Sequence, residues 1–76
     1  MNTTVEKRIG GNLRRLREQA GLTQEAVAVG LQIRGCDITR SAVAKLEVGQ
    51  RHLYPDELIL LREILKTSYE EILRTD

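Results

Sequence analysis

Three side chains able to hydrogen-bond, Arg40, Ser41 and Lys45, fall within one short stretch of this chain. Thr39 before them is a typical N-cap residue, and Gly49 after them is a typical helix terminator. Guanidinium and ammonium groups bind guanine O6 and N7, and a hydroxyl group can bond to either base pair. The stretch therefore predicts a helix whose polar face can contact the edges of DNA bases.

A second capped segment precedes this helix and is needed to position it. Thr23 is a good N-cap residue, and Ala28 supplies a small side chain where two helices must cross at close range. In the following helix, Val43 and Leu46 fall on the side opposite the polar residues. Two short helices joined by a turn form a helix-turn-helix, whose second helix is shaped to enter the major groove.

The rest of the chain also has helical patterns, with apolar residues at steps of three and four and capping boxes at Thr3/Glu6 and Ser68/Glu71. The predicted helices run from Thr3 or Thr4 to Gly21, from Thr23 to Arg34, from Thr39 to Gly49, from Pro55 to Lys66, and from Ser68 onward. Gly10 and Gly11 interrupt the first helix, and we expect them to allow close approach by a neighbouring element. The predicted fold is all-α, with five short helices in one domain over residues 1–76.

Composition excludes several classes of function. One cysteine, Cys36, and one histidine, His52, can form neither an internal disulfide nor a zinc site, and we expect both residues in loops. No clustered carboxylates, nucleophile with a base, or Gly-rich loop after a strand is present, which argues against an enzyme, a cofactor or a metal. No apolar run reaches the roughly 18 residues of a membrane span, and no signal peptide is recognisable, so we expect a cytoplasmic protein.

Charge is distributed unevenly along the chain. Residues 1–54 contain nine Lys and Arg against five Asp and Glu, a net of +4, whereas residues 55–76 contain three against six, a net of −3. This asymmetry suits a domain that faces a polyanion with one end only. Arg14 and Arg15 are expected on the solvent face of the first helix.

The chain resembles the phage-repressor and Cro-type helix-turn-helix regulators, also called Xre-like, from about Ile9 to Leu73. The motifs that carry the resemblance are Leu16-Arg17 before Gly21-Leu22-Thr23-Gln24-Glu25, then Lys45-Leu46-Glu47-Val48-Gly49, then Ser68-Tyr69-Glu70-Glu71-Ile72-Leu73. The resemblance implies a five-helix, lambda-repressor-like DNA-binding domain that acts as a homodimer on a palindromic operator.

The resemblance also assigns roles by position. Base contacts are implied for Arg40, Ser41, Ala44 and Lys45. DNA backbone contacts are implied for Thr23, Gln24 and Arg51. A structural ion pair that joins the first helix to the third is implied for Arg17 and Glu47.

Two departures from the family pattern concern the expected DNA-binding face. The turn between the second and third helices is about five residues longer than usual, through residues 32–37. We expect a lengthened second helix and a solvent-facing loop, or else an Arg34 that reaches a phosphate. The second departure is Val48, where the family often has a polar residue, so a base or phosphate contact is missing there.

Two functional hypotheses remain open at this point. The first is a sequence-specific, double-stranded DNA-binding transcription regulator, such as a repressor, that is a homodimer and takes no small-molecule ligand. The second is a protein-interaction module, such as an antitoxin-like partner, suggested by the weak overall charge, the long turn and an apolar excess in the fourth helix. Ile59 and Leu60 cannot both point inward together with Leu58 and Leu61, which suggests a dimer interface on the last two helices.

Overall fold

The computed structural model describes residues 3–75, and each regular element in that range is an α-helix. The helices are α1 (Thr3–Gln19), α2 (Gln24–Ile33), α3 (Arg40–Glu47), α4 (Pro55–Leu65) and α5 (Tyr69–Leu73). The predicted five-helix, all-α architecture is confirmed, and the bounds lie close to the predicted ones. The predicted capping role of the Thr3 side chain falls outside the described part of the chain.

Local capping explains where the helices begin. The side-chain oxygens of Thr23, Thr39 and Ser68 each accept a hydrogen bond from the amide three residues later, at 3.0, 3.2 and 3.1 Å. Each residue thereby satisfies an amide that the first helical turn leaves without an intrahelical partner. The sequence prediction of these three N-caps is confirmed.

Helix α1 lies directly against the last turn of α3 because Gly10 has no side chain. A Cβ atom on Gly10 would lie 2.4 and 2.6 Å from two carbonyl oxygens at the end of α3. Gly49 has a φ of 77°, and a Cβ atom there would lie 2.9 Å from the Cα atom of Lys7. The expected close approach is thus confirmed at Gly10, whereas Gly11 faces open space.

The core is aliphatic and receives side chains from all five helices and from the loop before α3. Ala28 is only 1% exposed, so its small side chain lies inside the packed region, as the prediction of a close helix crossing requires. The buried apolar residues are Leu13, Leu16, Val27, Ala28, Leu31, Ile38, Val43, Leu46, Leu61, Leu65 and Ile72. This core fixes α3 from one side and leaves its other side uncovered.

The long connection between α2 and α3 is held by specific hydrogen bonds. The Cys36 amide donates to the Leu31 carbonyl at 2.9 Å, and the Gln32 side chain donates to the Ile38 carbonyl at 2.8 Å. Ile38 is buried, so the loop is solvent-facing only in part. Arg34 follows the last residue of α2 and lies near Glu63 of α4, at 3.7 Å. The extra residues therefore form a fixed loop that leads into α3.

Helices α4 and α5 leave apolar side chains on the surface. Leu61 is buried, whereas Ile59 is 49% exposed and Leu58 and Leu60 are half-buried. Tyr69 and Leu73 on α5 are also exposed. No helix within residues 3–75 is both long enough and apolar enough to cross a membrane.

Candidate nucleic-acid interface

Helix α3 has one buried face and one exposed face. Its buried residues are Val43, Leu46 and Glu47. Its exposed residues are Arg40, Ser41 and Lys45, with Ala44 half-buried between them. The structure thus brings the four predicted base-contact residues together on one uncovered surface.

The beginning of α3 is presented by its cap and by the loop before it. The Thr39 side chain accepts from the Ala42 amide, which fixes the first turn in which Arg40 and Ser41 lie. Ile38, the residue before Thr39, is buried in the core and anchors the loop there. The first turn of a recognition helix is the part that reaches base edges. Here that turn is held by its N-cap and by a buried loop residue.

An open cleft of about 510 Å³ lies between α3 and the beginning of α2. Thr23 and Gln24 line it from α2, Arg14 from α1, and Arg40 and Val48 from the α3 side. The first amides of an α-helix have no intrahelical partners and form the positive end of its dipole. Donors of this kind next to guanidinium groups can hold an anion such as a DNA phosphate.

A buried ionic network joins the three helices that line this cleft. Arg17 Nε donates to Glu47 Oε2 at 2.6 Å, and Arg17 Nη2 donates to Glu47 Oε1 at 3.1 Å. Gln24 Nε2 donates to the same Oε1 at 3.0 Å. The bond to Glu47 raises the pKa of Arg17 above its ordinary value, although burial opposes the shift. The two residues assigned as an ion pair are therefore in bidentate contact, with Gln24 as a third member.

Thr23, the N-cap of α2, and Gln24, its first residue, are predicted backbone-contact residues, and each retains a hydrogen-bond donor. Gln24 uses one of the two N–H groups of its amide for Glu47, which leaves the other. Thr23 accepts a bond through its hydroxyl oxygen, so its O–H group can still donate. Both residues line the cleft, where such donors can face a phosphate.

Arg51 has a structural partner that the sequence did not reveal. Its Nη1 and Nη2 atoms donate to the two carboxylate oxygens of Glu57, at 2.8 and 2.9 Å, and Nη1 also donates to the His52 carbonyl at 3.0 Å. Its guanidinium lies 5.7 Å from the centre of the Tyr54 ring. These bonds occupy three of the five N–H groups of an arginine, so a backbone contact by Arg51 stays a prediction that must use the other two.

Glu57 binds the guanidinium of Arg51, and this role was not predicted from the sequence. It is only 5% exposed, and it accepts from the Tyr54 amide at 3.1 Å as well as from Arg51. Burial raises the pKa of Glu57, but these hydrogen bonds and the charge of Arg51 outweigh burial and lower it overall. Its position in the first turn of α4, after Pro55, was a signal for capping and gave no indication of its second partner.

The single cysteine and histidine lie in loops, as predicted. Cys36 is half-buried in the loop between α2 and α3, and burial raises the pKa of its thiol. His52 lies in the loop after α3, with Nδ1 3.1 Å from Glu6 Oε1. Among the described residues, no three His, Cys, Asp or Glu side chains group as metal ligands.

Comparisons with known proteins agree with this geometry. A family model described as "Helix-turn-helix" matches residues 13–72. The crystal structure of the DNA-binding domain of BldD is similar with a TM-score of 0.79 and 24% sequence identity, covering 97% of this chain and 100% of that chain. No curated protein matches the chain. The sequence-based resemblance and the five-helix fold are therefore confirmed.

Proposed function

The chain belongs to the Xre-like helix-turn-helix family and is a DNA-binding regulator rather than an enzyme, and from this premise we propose that it recognises one double-stranded DNA sequence as a homodimer. In this proposal residues 1–76 work as a single domain in the cytoplasm, without a metal, cofactor or small-molecule ligand. The regulator acts as a repressor by occupying a palindromic operator. Two half-sites about one helical turn apart, roughly 34 Å, match the two recognition helices of a dimer.

The exposed face of α3 is the observation that carries this proposal. Arg40 and Lys45 project from it beside Ser41, and none of the three is covered by the rest of the protein. We assign base-edge contacts in the major groove to these side chains and to Ala44, whose methyl group can meet a thymine methyl.

The DNA backbone contacts are assigned to the cleft and to the loop after α3. Thr23 and Gln24 offer the donors that remain after their internal bonds, beside the first amides of α2. Arg51 offers its two remaining N–H groups while it stays bonded to Glu57. Phosphate contacts of this kind fix the orientation of the protein on the duplex.

The surfaces of α4 and α5 are assigned to the homodimer. Ile59, Tyr69 and Leu73 are exposed apolar or aromatic side chains on these two helices. Substituting Ile59 by Glu should shift the protein toward the monomer in sedimentation experiments, and no shift would remove this surface from the proposal.

Selection of bound DNA from a random double-stranded pool tests the function directly. We expect enrichment of a palindrome, and then a loss of about 1–3 kcal/mol on that site when Lys45 is replaced by Ala. The control is Arg15→Gln, which also removes one positive charge, because Arg15 does not line the cleft beside α3 and its Nη2 atom lies 3.8 Å from Glu71 Oε2.

The selectivity of the loss assigns the role of Lys45. Weaker discrimination at one base position supports a base contact, whereas an equal loss on every sequence shows contact with phosphate only. Failure to enrich any sequence contradicts the proposed function.

One observation favours the alternative, a protein-interaction module. Val29 and Ile33, four residues apart on α2, are 41% and 77% exposed. The same selection separates the two functions, because an interaction module would enrich no DNA sequence and would purify with a protein instead.

A further inference from the structure

We propose that Arg14 binds a phosphate of the DNA backbone, so that α1 takes part in the DNA interface together with α2 and α3. This inference rests on the proposed function and adds a contact residue to it. The sequence predicted Arg14 on the solvent face of α1 together with Arg15, and no DNA contact was assigned to that helix.

The position of Arg14 is the first observation. It lines the cleft beside α3 together with Thr23, Gln24 and Arg40. Arg14 and Arg40 thus come from different helices to the same cleft as the beginning of α2. A phosphate held by the α2 donors would lie within this cleft, where a guanidinium can bind two of its oxygens at once.

The charge of the cleft is the second observation. Arg17 and Glu47 also line it, but they neutralise each other through their bidentate contact. Glu25 contributes one negative charge, and Arg14 and Arg40 contribute two positive charges. The cleft therefore keeps a net charge of +1, which would fall to zero without Arg14.

Arg14 is also free enough to turn toward a phosphate. Its acidic neighbour is Glu18, with Arg14 Nε 3.6 Å from Glu18 Oε2, and the two side chains are 62% and 56% exposed. An exposed pair of this type holds an arginine weakly. By contrast, the guanidinium of Arg17 is committed to Glu47 and to the Leu22 carbonyl.

The neighbouring arginine supplies a matched control. Arg15 carries the same charge on the same helix, but its Nη2 atom lies 3.8 Å from Glu71 Oε2 on α5, and it does not line the cleft. Arg14→Gln and Arg15→Gln therefore remove identical charges from two sides of α1. Gln and Arg have similar helix propensities, so neither change should unfold the helix.

The experiment measures binding of each variant to the enriched DNA site over a range of salt concentrations. For Arg14→Gln we expect about tenfold weaker binding for each bound protomer, as for the loss of one charge-assisted hydrogen bond. We also expect the slope of log K against log salt to become shallower by about 0.9 for each bound protomer. Arg15→Gln should leave both quantities near the wild-type values, and thermal melting verifies that both variants are folded.

Neutral methylphosphonates, placed singly along the DNA backbone, identify the phosphate. At one position the methylphosphonate should weaken DNA binding by the wild-type protein. It should leave binding by Arg14→Gln almost unaffected, because that variant already lacks the contact. If Arg14→Gln and Arg15→Gln bind the DNA site equally well, the inference is overturned. The proposed function stands in that case as long as the wild-type protein binds the site specifically. Absence of sequence-specific binding by the wild type overturns the proposed function itself.

Discussion

Two buried glutamates, one at the C-terminal end of α3 and one in the first turn of α4, are each bound to an arginine, and they connect very different parts of the chain. Glu47 is 7% exposed and is paired with Arg17, thirty residues away on α1. Glu57 is similarly buried but is paired with Arg51, six residues away in the loop before α4. The first pair joins separate helices, and the second pair closes one loop.

This difference indicates what each pair controls. The pair of Glu47 recruits Gln24 as well, so it sets the positions of α1, α2 and α3 relative to one another. The pair of Glu57 also accepts the Tyr54 amide, so it fixes the entry to α4. We therefore expect the first to determine tertiary structure and the second to determine local loop structure.

Substituting Glu47 by Gln should have the largest effect of the glutamate series. The change leaves the guanidinium of Arg17, which is only 13% exposed, without its carboxylate, and breaking a buried pair typically costs about 3–5 kcal/mol. Urea unfolding followed by circular dichroism measures the loss. A variant within about 1 kcal/mol of wild type would show that the network does not support the tertiary structure.

Substituting Glu57 by Gln should cost less, about 2 kcal/mol, because hydrogen bonds to a charged group are lost but Arg51 remains partly in contact with water. The same urea experiment provides the value. Equal losses for the two variants would break the distinction between a tertiary pair and a local pair.

The decrease in the free energy of unfolding at acidic pH should also depend on Glu57. Because its pKa in the folded protein is lowered, its stabilising contribution is complete above the ordinary glutamate pKa, about 4.3, and is lost as pH falls through the lower folded value. The difference in unfolding free energy between wild type and Glu57→Gln should therefore narrow as pH is reduced from 7 to 3. A constant difference across that range would contradict the assigned cause of the pKa shift.

Glu63 provides a reference with an exposed partner. Its Oε2 atom lies 3.7 Å from Arg34 Nε, and the two side chains are substantially exposed, so Glu63→Gln should change stability by no more than about 0.5 kcal/mol. Measured beside the two buried glutamates, it separates the effect of burial from the effect of removing a charge. A loss of stability as large as that of Glu57→Gln would show that burial does not determine the size of the effect.

The features that the sequence predicted are mostly local. Thr23, Thr39 and Ser68 cap helices through bonds that span three residues, so their residue types alone indicate the helix starts. The pairing of Arg17 with Glu47 was implied only by the family resemblance. Periodicity gave the helices but could not assign partners between them.

The features that were missed depend on how helices pack. Arg14 and Arg15 are adjacent and chemically identical, and only the orientation of α1 places one beside the cleft and the other beside Glu71. The pairing of Arg51 with Glu57 depends on the path of the loop between α3 and α4. Neither relation follows from a repeat or from a spacing typical of one element.

The absence of a side chain at Gly10 has a mechanical consequence. Main-chain atoms of α1 and α3 touch there, so no rotatable group lies between the two helices to absorb a small tilt. Any reorientation of α3 on a duplex must carry α1 with it as a rigid unit. A spectroscopic label on the outer side of α1 would therefore report that movement from a site that never meets the nucleic acid.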